Sequence, residues 1–325
     1  MEFLADVDPI DLNAHRIFNA ETMQRVLDVQ QRAVRFSHYT SAEVAFSILR
    51  QKEIWLRRPQ LMNDFQEIEW GFSCLINAWK SDPGQKLQAQ LEEMFLGSSK
   101  RVAEYFDSVQ PLIRARTYMT CISEHDLEED ELGRLSMWRA YGGNAGVAIV
   151  LNPSVFASTT DALNTYTYPV WYHMPDDVVG RIKRVLERMI EDRTFLLEQG
   201  EEFVTRWLSE LFLNIVLATK HPGFREEREW RVIHTEHHGR SDHLIYDHAV
   251  VRGMPQQLVK LPLRDIPEEG LTGLGLSELI DRIIIGPNEF AFEIRSVLLD
   301  LLEDAGVPDA LNKVWISNIP VRQPA

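Results

Sequence analysis

A short strand, a short helix and a second strand follow one another near the front of the chain, and this unit sets what the rest can become. The first stretch is Phe36-Ser37-His38-Tyr39-Thr40-Ser41, an amphipathic run covers 42–50, and Ile54-Trp55-Leu56 follows. Thr40 or Ser41 is placed to cap the helical run, since a hydroxyl before the first turn accepts from its unpaired amides. An imidazole, a phenol and a hydroxyl (His38, Tyr39, Thr40) then stand together at a strand end. Further strands are predicted at 116–122, 146–151, 166–172, 228–235, 257–263, 282–285 and 314–316. Apolar spacing near 3.6 residues predicts helices over 21–34, from an Asn63 or Asp64 cap to about 79, over 85–109 and 135–141, two within 176–218, and over 290–305. The acidic, aperiodic stretch 1–19 reads as a loose arm, and the polar stretch 237–248 as a loop. Strands and helices mix without a regular βαβ rhythm, which predicts an α+β fold with a mixed central sheet. The expected organisation is an N-terminal arm and helix (1–34), a main α+β domain (35–290) with helical insertions at about 65–110 and 175–219, and a C-terminal helix and strand (291–325) packed on it.

Composition narrows the function. A formal charge of −15 over 325 residues disfavours nonspecific coating of duplex DNA, because that affinity rests on Lys and Arg neutralising phosphates. A local basic pocket for one nucleotide is still compatible with it. Cys74 and Cys121 form no C-x-x-C pair and read as buried small hydrophobes. The first residues lack the basic start and apolar run of a signal peptide, and the longest apolar stretch, about 211–218, is too short to span a bilayer. A cytoplasmic location without membrane contact is expected.

Three clusters carry chemistry, each with a plain structural reading beside it. In Arg225-Glu226-Glu227-Arg228-Glu229-Trp230-Arg231, strand alternation would put Glu227, Glu229 and Arg231 on one face and Arg228 and Trp230 on the other. Paired carboxylates repel, which lifts one pKa, and they can stabilise a sugar cation; the same residues on a solvent face would be a Glu–Arg ladder. Trp138 and Tyr141 share a helix face beside Gly142 and Gly143 and could stack on a planar ring, or simply pack the helix onto the sheet. His234, His237, His238, His243 and His248 suggest a metal, but their spacing fits no zinc motif, so no metal ligand is assigned and a solvated loop is the simpler reading.

Motifs spread over about 36–287 resemble the bacterial family catalogued as domain of unknown function 2971. They are His38-Tyr39-Thr40, Ile54-Trp55-Leu56, Asn63-Asp64 with Glu67, Cys121-Ile122-Ser123-Glu124, Met137-Trp138 with Tyr141-Gly142, Gly146-Val147-Ala148-Ile149, Lys220-His221 with Phe224, Glu227, Glu229, Trp230 and Arg231, and Ile283-Ile284-Ile285-Gly286. The opening unit in turn resembles the start of the ADP-ribosyltransferase fold, although the segment between the aromatic and Glu229 is long and helical here. That resemblance implies NAD as a substrate whose nicotinamide–ribose bond is cleaved. The ADP-ribosyl group would pass to an acceptor (protein, nucleic acid or small molecule) or to water, as a bacterial toxin or phage-defence effector would use it. It implies that His38, Tyr39 and Thr40 hold ribose, that Tyr141, Tyr118 or Trp138 stacks on nicotinamide, and that Arg57, Arg58 or Arg231 meets the pyrophosphate. Glu229 would stabilise the ribosyl cation, Glu227 would position or deprotonate the acceptor, and His38 would face Glu229 across one cleft. A non-catalytic nucleotide-binding module and a metal-dependent nuclease or hydrolase remain as alternatives.

Overall fold

The first helix falls where the sequence predicts a loose arm. In the computed structural model, which describes residues 8–62, 67–158 and 160–320, α1 (Pro9–Phe18) is capped by the Asp8 carboxylate, which accepts from the Ile10 amide at 2.7 Å. Pro9 starts the helix, where its missing amide costs nothing. Ala14, Ile17 and Phe18 are fully buried; their spacing is helical, and the polar His15 and Arg16 between them hid it. There follow α2 (Ala20–Gln31), β1 (Arg35–Ser41), α3 (Ala42–Gln51), β2 (Glu53–Arg57), α4 (Glu67–Lys80), α5 (Asp82–Met94) and α6 (Ser98–Arg116). Next come β3 (Thr117–His125), α7 (Leu135–Tyr141), β4 (Gly146–Leu151), β5 (Thr165–Pro169), β6 (Trp171–Tyr172), α8 (Pro175–Glu191), α9 (Arg193–Gln199) and α10 (Glu201–Ala218). The chain continues through β7 (Thr219–Lys220), β8 (Glu229–Thr235), β9 (Ile245–Val251), β10 (Met254–Pro262), α11 (Leu276–Leu279), β11 (Ile280–Ile285), α12 (Ala291–Asp304), α13 (Ala310–Lys313) and β12 (Val314–Ile316).

The expected mixed sheet is present: β11 and β12 are parallel and the other pairs of the large sheet antiparallel. Strand β3 is its hub. One edge of β3 carries β8, which in turn carries β5. The other edge is shared: β1 pairs with its far end at 123–125, and β2 meets it at Met119. Between those contacts β1 leaves β3, and the Cys121 carbonyl is met by the imidazole of His38 instead of a backbone amide, at 2.9 Å. From β1 the sheet runs on through β4, β11 and β12, and from β2 through β10 and β9. Strand β9 begins inside the stretch read as a polar loop. It is an edge strand with Ile245 and Val250 exposed, so it lacks the buried stripe that marks a strand in sequence.

Helices cover both faces. One face packs against α3 and α12 around Phe36, Ile122, Ile149, Trp230 and Ile283. On the other face, the two helical insertions join into one bundle: α4 packs on α10 and α8, and α5 on α8 and α6. The long helix expected at 85–109 is broken at Gly97, whose φ of 80° reverses the chain between α5 and α6. The same second face holds a separate small core of Tyr39, Met137, Trp138, Ala148, Val150 and Ile284 beneath α7. The Asn63 and Asp64 cap lies outside the described residues. Ile17→Ala is expected to lower unfolding free energy by about 2–5 kcal/mol, the range for a fully buried aliphatic side chain. Urea unfolding checks this, and an unchanged midpoint would mean that α1 is not part of the folded unit.

Candidate active site

Register decides which side chains can meet. Ser37 stands opposite Ser123, and Ser123 opposite Glu229, so these three share a face. Phe36 and Glu124 stand opposite each other, as do Ile122 and Trp230, on the other face. His38, one residue past Ser37, therefore lies on the face of Phe36 and Trp230, with Tyr39 on the face of Glu229. On that second face, the core under α7 and the core of the helical bundle leave a seam along β3 and β8. Cys121, Ser123, Glu229 and Arg231 occupy it.

The seam is filled by a chain of charges. Lys220, at the end of the parallel pair β6–β7, donates to Glu227 at 2.6 Å and to Glu229 at 2.7 Å. Arg231 donates from Nε to the second oxygen of Glu229 at 2.8 Å and from Nη1 to the Leu217 carbonyl at 2.6 Å. The Tyr141 hydroxyl donates to Glu227 at 2.8 Å. Glu227 is not in β8 as strand alternation predicts. It ends a 3-10 turn, Pro222–Glu227, and Arg228 follows in the left-handed region at φ 45°. That kink brings Glu227 and Glu229 onto one ammonium and sends the Arg228 guanidinium away to Asp126 and Glu129. Arg134 fastens the turn, donating to the carbonyls of Glu226 and Glu227 at 3.0 and 3.2 Å and to that of Glu124 at 2.7 Å.

Environment separates the two carboxyls. Burial acts to raise the pKa of Glu229, but Arg231, Lys220 and a hydrogen bond from the Cys121 thiol outweigh it and hold the group far below the usual carboxylate range. Glu227 moves the other way: burial and the charge of Glu229 raise it against the pull of Lys220 and Tyr141. Exposure differs in the same sense, with 14% of the Glu227 side chain accessible against 3% for Glu229, 3% for Lys220 and 0% for Arg231. Glu227 is thus the rim of the cluster and Glu229 its interior. A cavity of about 390 Å³ adjoins the seam, lined by Glu229, Tyr172 and His173, by the cations of Arg25, Arg225 and Arg228 and by the carboxylates of Glu124 and Asp177, with Arg25 paired to Glu124.

The residues singled out in sequence divide between the two faces. Glu227, Glu229, Arg231 and Tyr141 come together, and Tyr39 shares their face, its hydroxyl accepting from the Arg134 amide at 2.9 Å. His38 does not face Glu229; the sheet lies between them, which corrects the shared cleft. Thr40 follows His38 onto that other face, and it is Ser41 that caps α3, accepting from the Val44 amide at 3.3 Å. Arg57 is engaged by Gln256 and the Leu61 carbonyl beside Met119, and Arg231 is sealed in the interior, so neither is presented to a pyrophosphate. Trp138 is buried under Tyr39, donates to the Leu132 carbonyl, and lies against Gly146 and Gly286, where an added Cβ would come within 3.0 Å of its ring. Close packing of indole on backbone explains those glycines, and Trp138 has no face left for stacking. Tyr118, the alternative aromatic, is buried on the His38 side. His234 is buried with both ring nitrogens bonded, to the Asn164 carbonyl and the Tyr246 hydroxyl, and among the described residues no group of three or more His, Cys, Asp or Glu could hold a metal ion. Among them, too, no helix is long and apolar enough to cross a membrane. Sequence reasoning did not place Lys220 in the site; its signal is its position seven and nine residues before the two glutamates.

Residues 137–232 match the family described as Protein of unknown function (DUF2971). The matched segment contains Tyr141, Tyr172, Lys220, Glu227, Glu229 and Arg231. No curated protein and no solved structure matches the chain.

Removing one partner of a buried ion pair strands the other charge. Arg231→Met and Glu229→Gln are each expected to cost about 3–5 kcal/mol at neutral pH. Because the folded pKa of Glu229 is depressed, its contribution is present above the ordinary carboxylate range and lost as pH falls through the folded value. The deficit of Glu229→Gln should therefore shrink in acid. Urea unfolding of wild type and variant across pH measures it; a deficit independent of pH would contradict the ion-pair assignment.

Proposed function

We propose, with the DUF2971 segment as premise, that this protein cleaves a glycosidic bond of a nucleotide, and that the nicotinamide–ribose bond of NAD is the first substrate to test. The carrying observation is the Glu227–Lys220–Glu229 bridge. Two carboxyls held by one ammonium, with their pKa values pushed apart, divide the duties of base and electrostatic stabiliser. Arg225, exposed at the edge of the cavity beside Glu229, supports a ligand with phosphates.

In this reading nicotinamide leaves with the electron pair of the C1′–N bond, and positive charge grows on the ribose. The ionised Glu229 contributes a fixed negative field from just beneath, without touching the sugar. Glu227, at the rim, takes the proton from the incoming water or acceptor hydroxyl as its oxygen bonds to C1′. A base with a raised pKa suits that transfer near neutral pH. Tyr141 and Lys220 hold the Glu227 carboxyl in place, and Arg225, exposed at the edge of the cavity, receives the pyrophosphate. His38 has no part, unlike in the ADP-ribosyltransferase pattern.

Nicotinamide release from NAD, followed by chromatography, tests this. Glu227→Gln is expected to lower kcat by about 100-fold or more, the usual worth of a positioned acid or base. Arg225→Ala is expected to raise KM with kcat little changed. Full activity in Glu227→Gln would overturn the assignment; binding of NAD without release by the wild type would make the protein a nucleotide-sensing module instead.

A further inference from the structure

The face opposite the charge cluster holds a cavity of about 670 Å³, several times the space of a single side chain. It begins at α1 and α10, where Asp11 and Arg206 stand exposed, and passes Glu210 and His238 at the edge of β5. It then runs over the sheet, where its walls are Ile48, Ile122, Ile149, Val232, Leu261 and Leu279. Among the described residues no lysine lines it, and the one arginine that does, Arg206, is paired with Asp11, with Asp161 and Glu210 also in the lining. A pyrophosphate therefore has no seat there, and the cavity is separate from the site proposed above.

Thr120, Thr167 and His38 place polar atoms among these apolar walls. His38 is part-exposed, and its surface faces this cavity. Its Nδ1 meets the Cys121 carbonyl, which can only accept, so Nδ1 carries the proton. Nε2 is thereby fixed as a bare acceptor, and it takes no hydrogen bond among the described residues. The notch where β1 leaves β3 thus does two things: it holds the ring and sets its tautomer. An oriented acceptor set in an apolar chamber of this size is how small-molecule sites combine affinity with orientation.

We infer that this cavity binds a neutral, largely apolar small molecule of the lipid-alcohol or phenol type, whose hydroxyl donates to His38 Nε2. The hydroxyl is what distinguishes it from any oily molecule, since it alone offers the imidazole nitrogen a donor.

Isothermal titration of the full chain with 1-decanol and with its methyl ether tests this. The two probes share the alkyl chain and differ in the donor. Saturable binding of the alcohol, about tenfold or more tighter than the ether, is the expected result. In His38→Phe, which keeps a planar ring and removes the acceptor, the preference should fall to near unity. The wild-type comparison stands even if that variant folds poorly. Equal affinity for the two probes, no saturable binding of the alcohol, or a preference that persists in folded His38→Phe would each overturn the inference.

Discussion

Everything on the bundle side of the sheet is arranged around one buried chain of charges, Tyr141–Glu227–Lys220–Glu229–Arg231. Taking two carboxylates and two cations out of water is costly unless each finds partners. The elements that supply those partners come from distant parts of the chain: β3 gives Cys121, α7 gives Tyr141, the end of α10 gives the Leu217 carbonyl, and β7 gives Lys220. The charge chain thus fixes how the two helical insertions and α7 sit on β3 and β8. It also explains how the Arg231 guanidinium can be fully buried on β8.

Strand β3 gives the molecule two unlike sides. Where β1 and β2 share its edge the ladder is interrupted, and His38 fills the gap. On the side of Phe36 and Trp230 the result is an apolar chamber; on the side of Glu229 it is a polar seam between two cores. The same hub therefore supports a site built from charge and, across the sheet, a cavity whose sheet-side walls are mostly apolar.

Much of this was legible in the sequence. Strands β4 and β8 and helix α7 fall close to their predicted positions, because runs such as Gly146 to Leu151 carry strong local signals. The pairing of Glu227 with Glu229 was also readable, but the reason for it was not: a left-handed Arg228, rather than strand alternation, brings them together. The facing of His38 and Glu229 could not be read at all. It depends on which residues stand opposite across β1, β3 and β8, and a shift of one residue exchanges the faces. Helix α1 was hidden because its buried Ala14, Ile17 and Phe18 are scattered among charged and polar neighbours. Edge strand β9 was hidden because exposure on its outer side removes the hydrophobic alternation.

The central claim is that one ammonium and one guanidinium push two neighbouring carboxyls apart, leaving Glu227 as the group able to exchange a proton. A carbon-13 NMR titration of the glutamate carboxyls measures this directly. Glu227 should titrate above the ordinary glutamate range, while Glu229 should stay ionised throughout it. Both groups titrating together within that range, or in the reverse order, would contradict it.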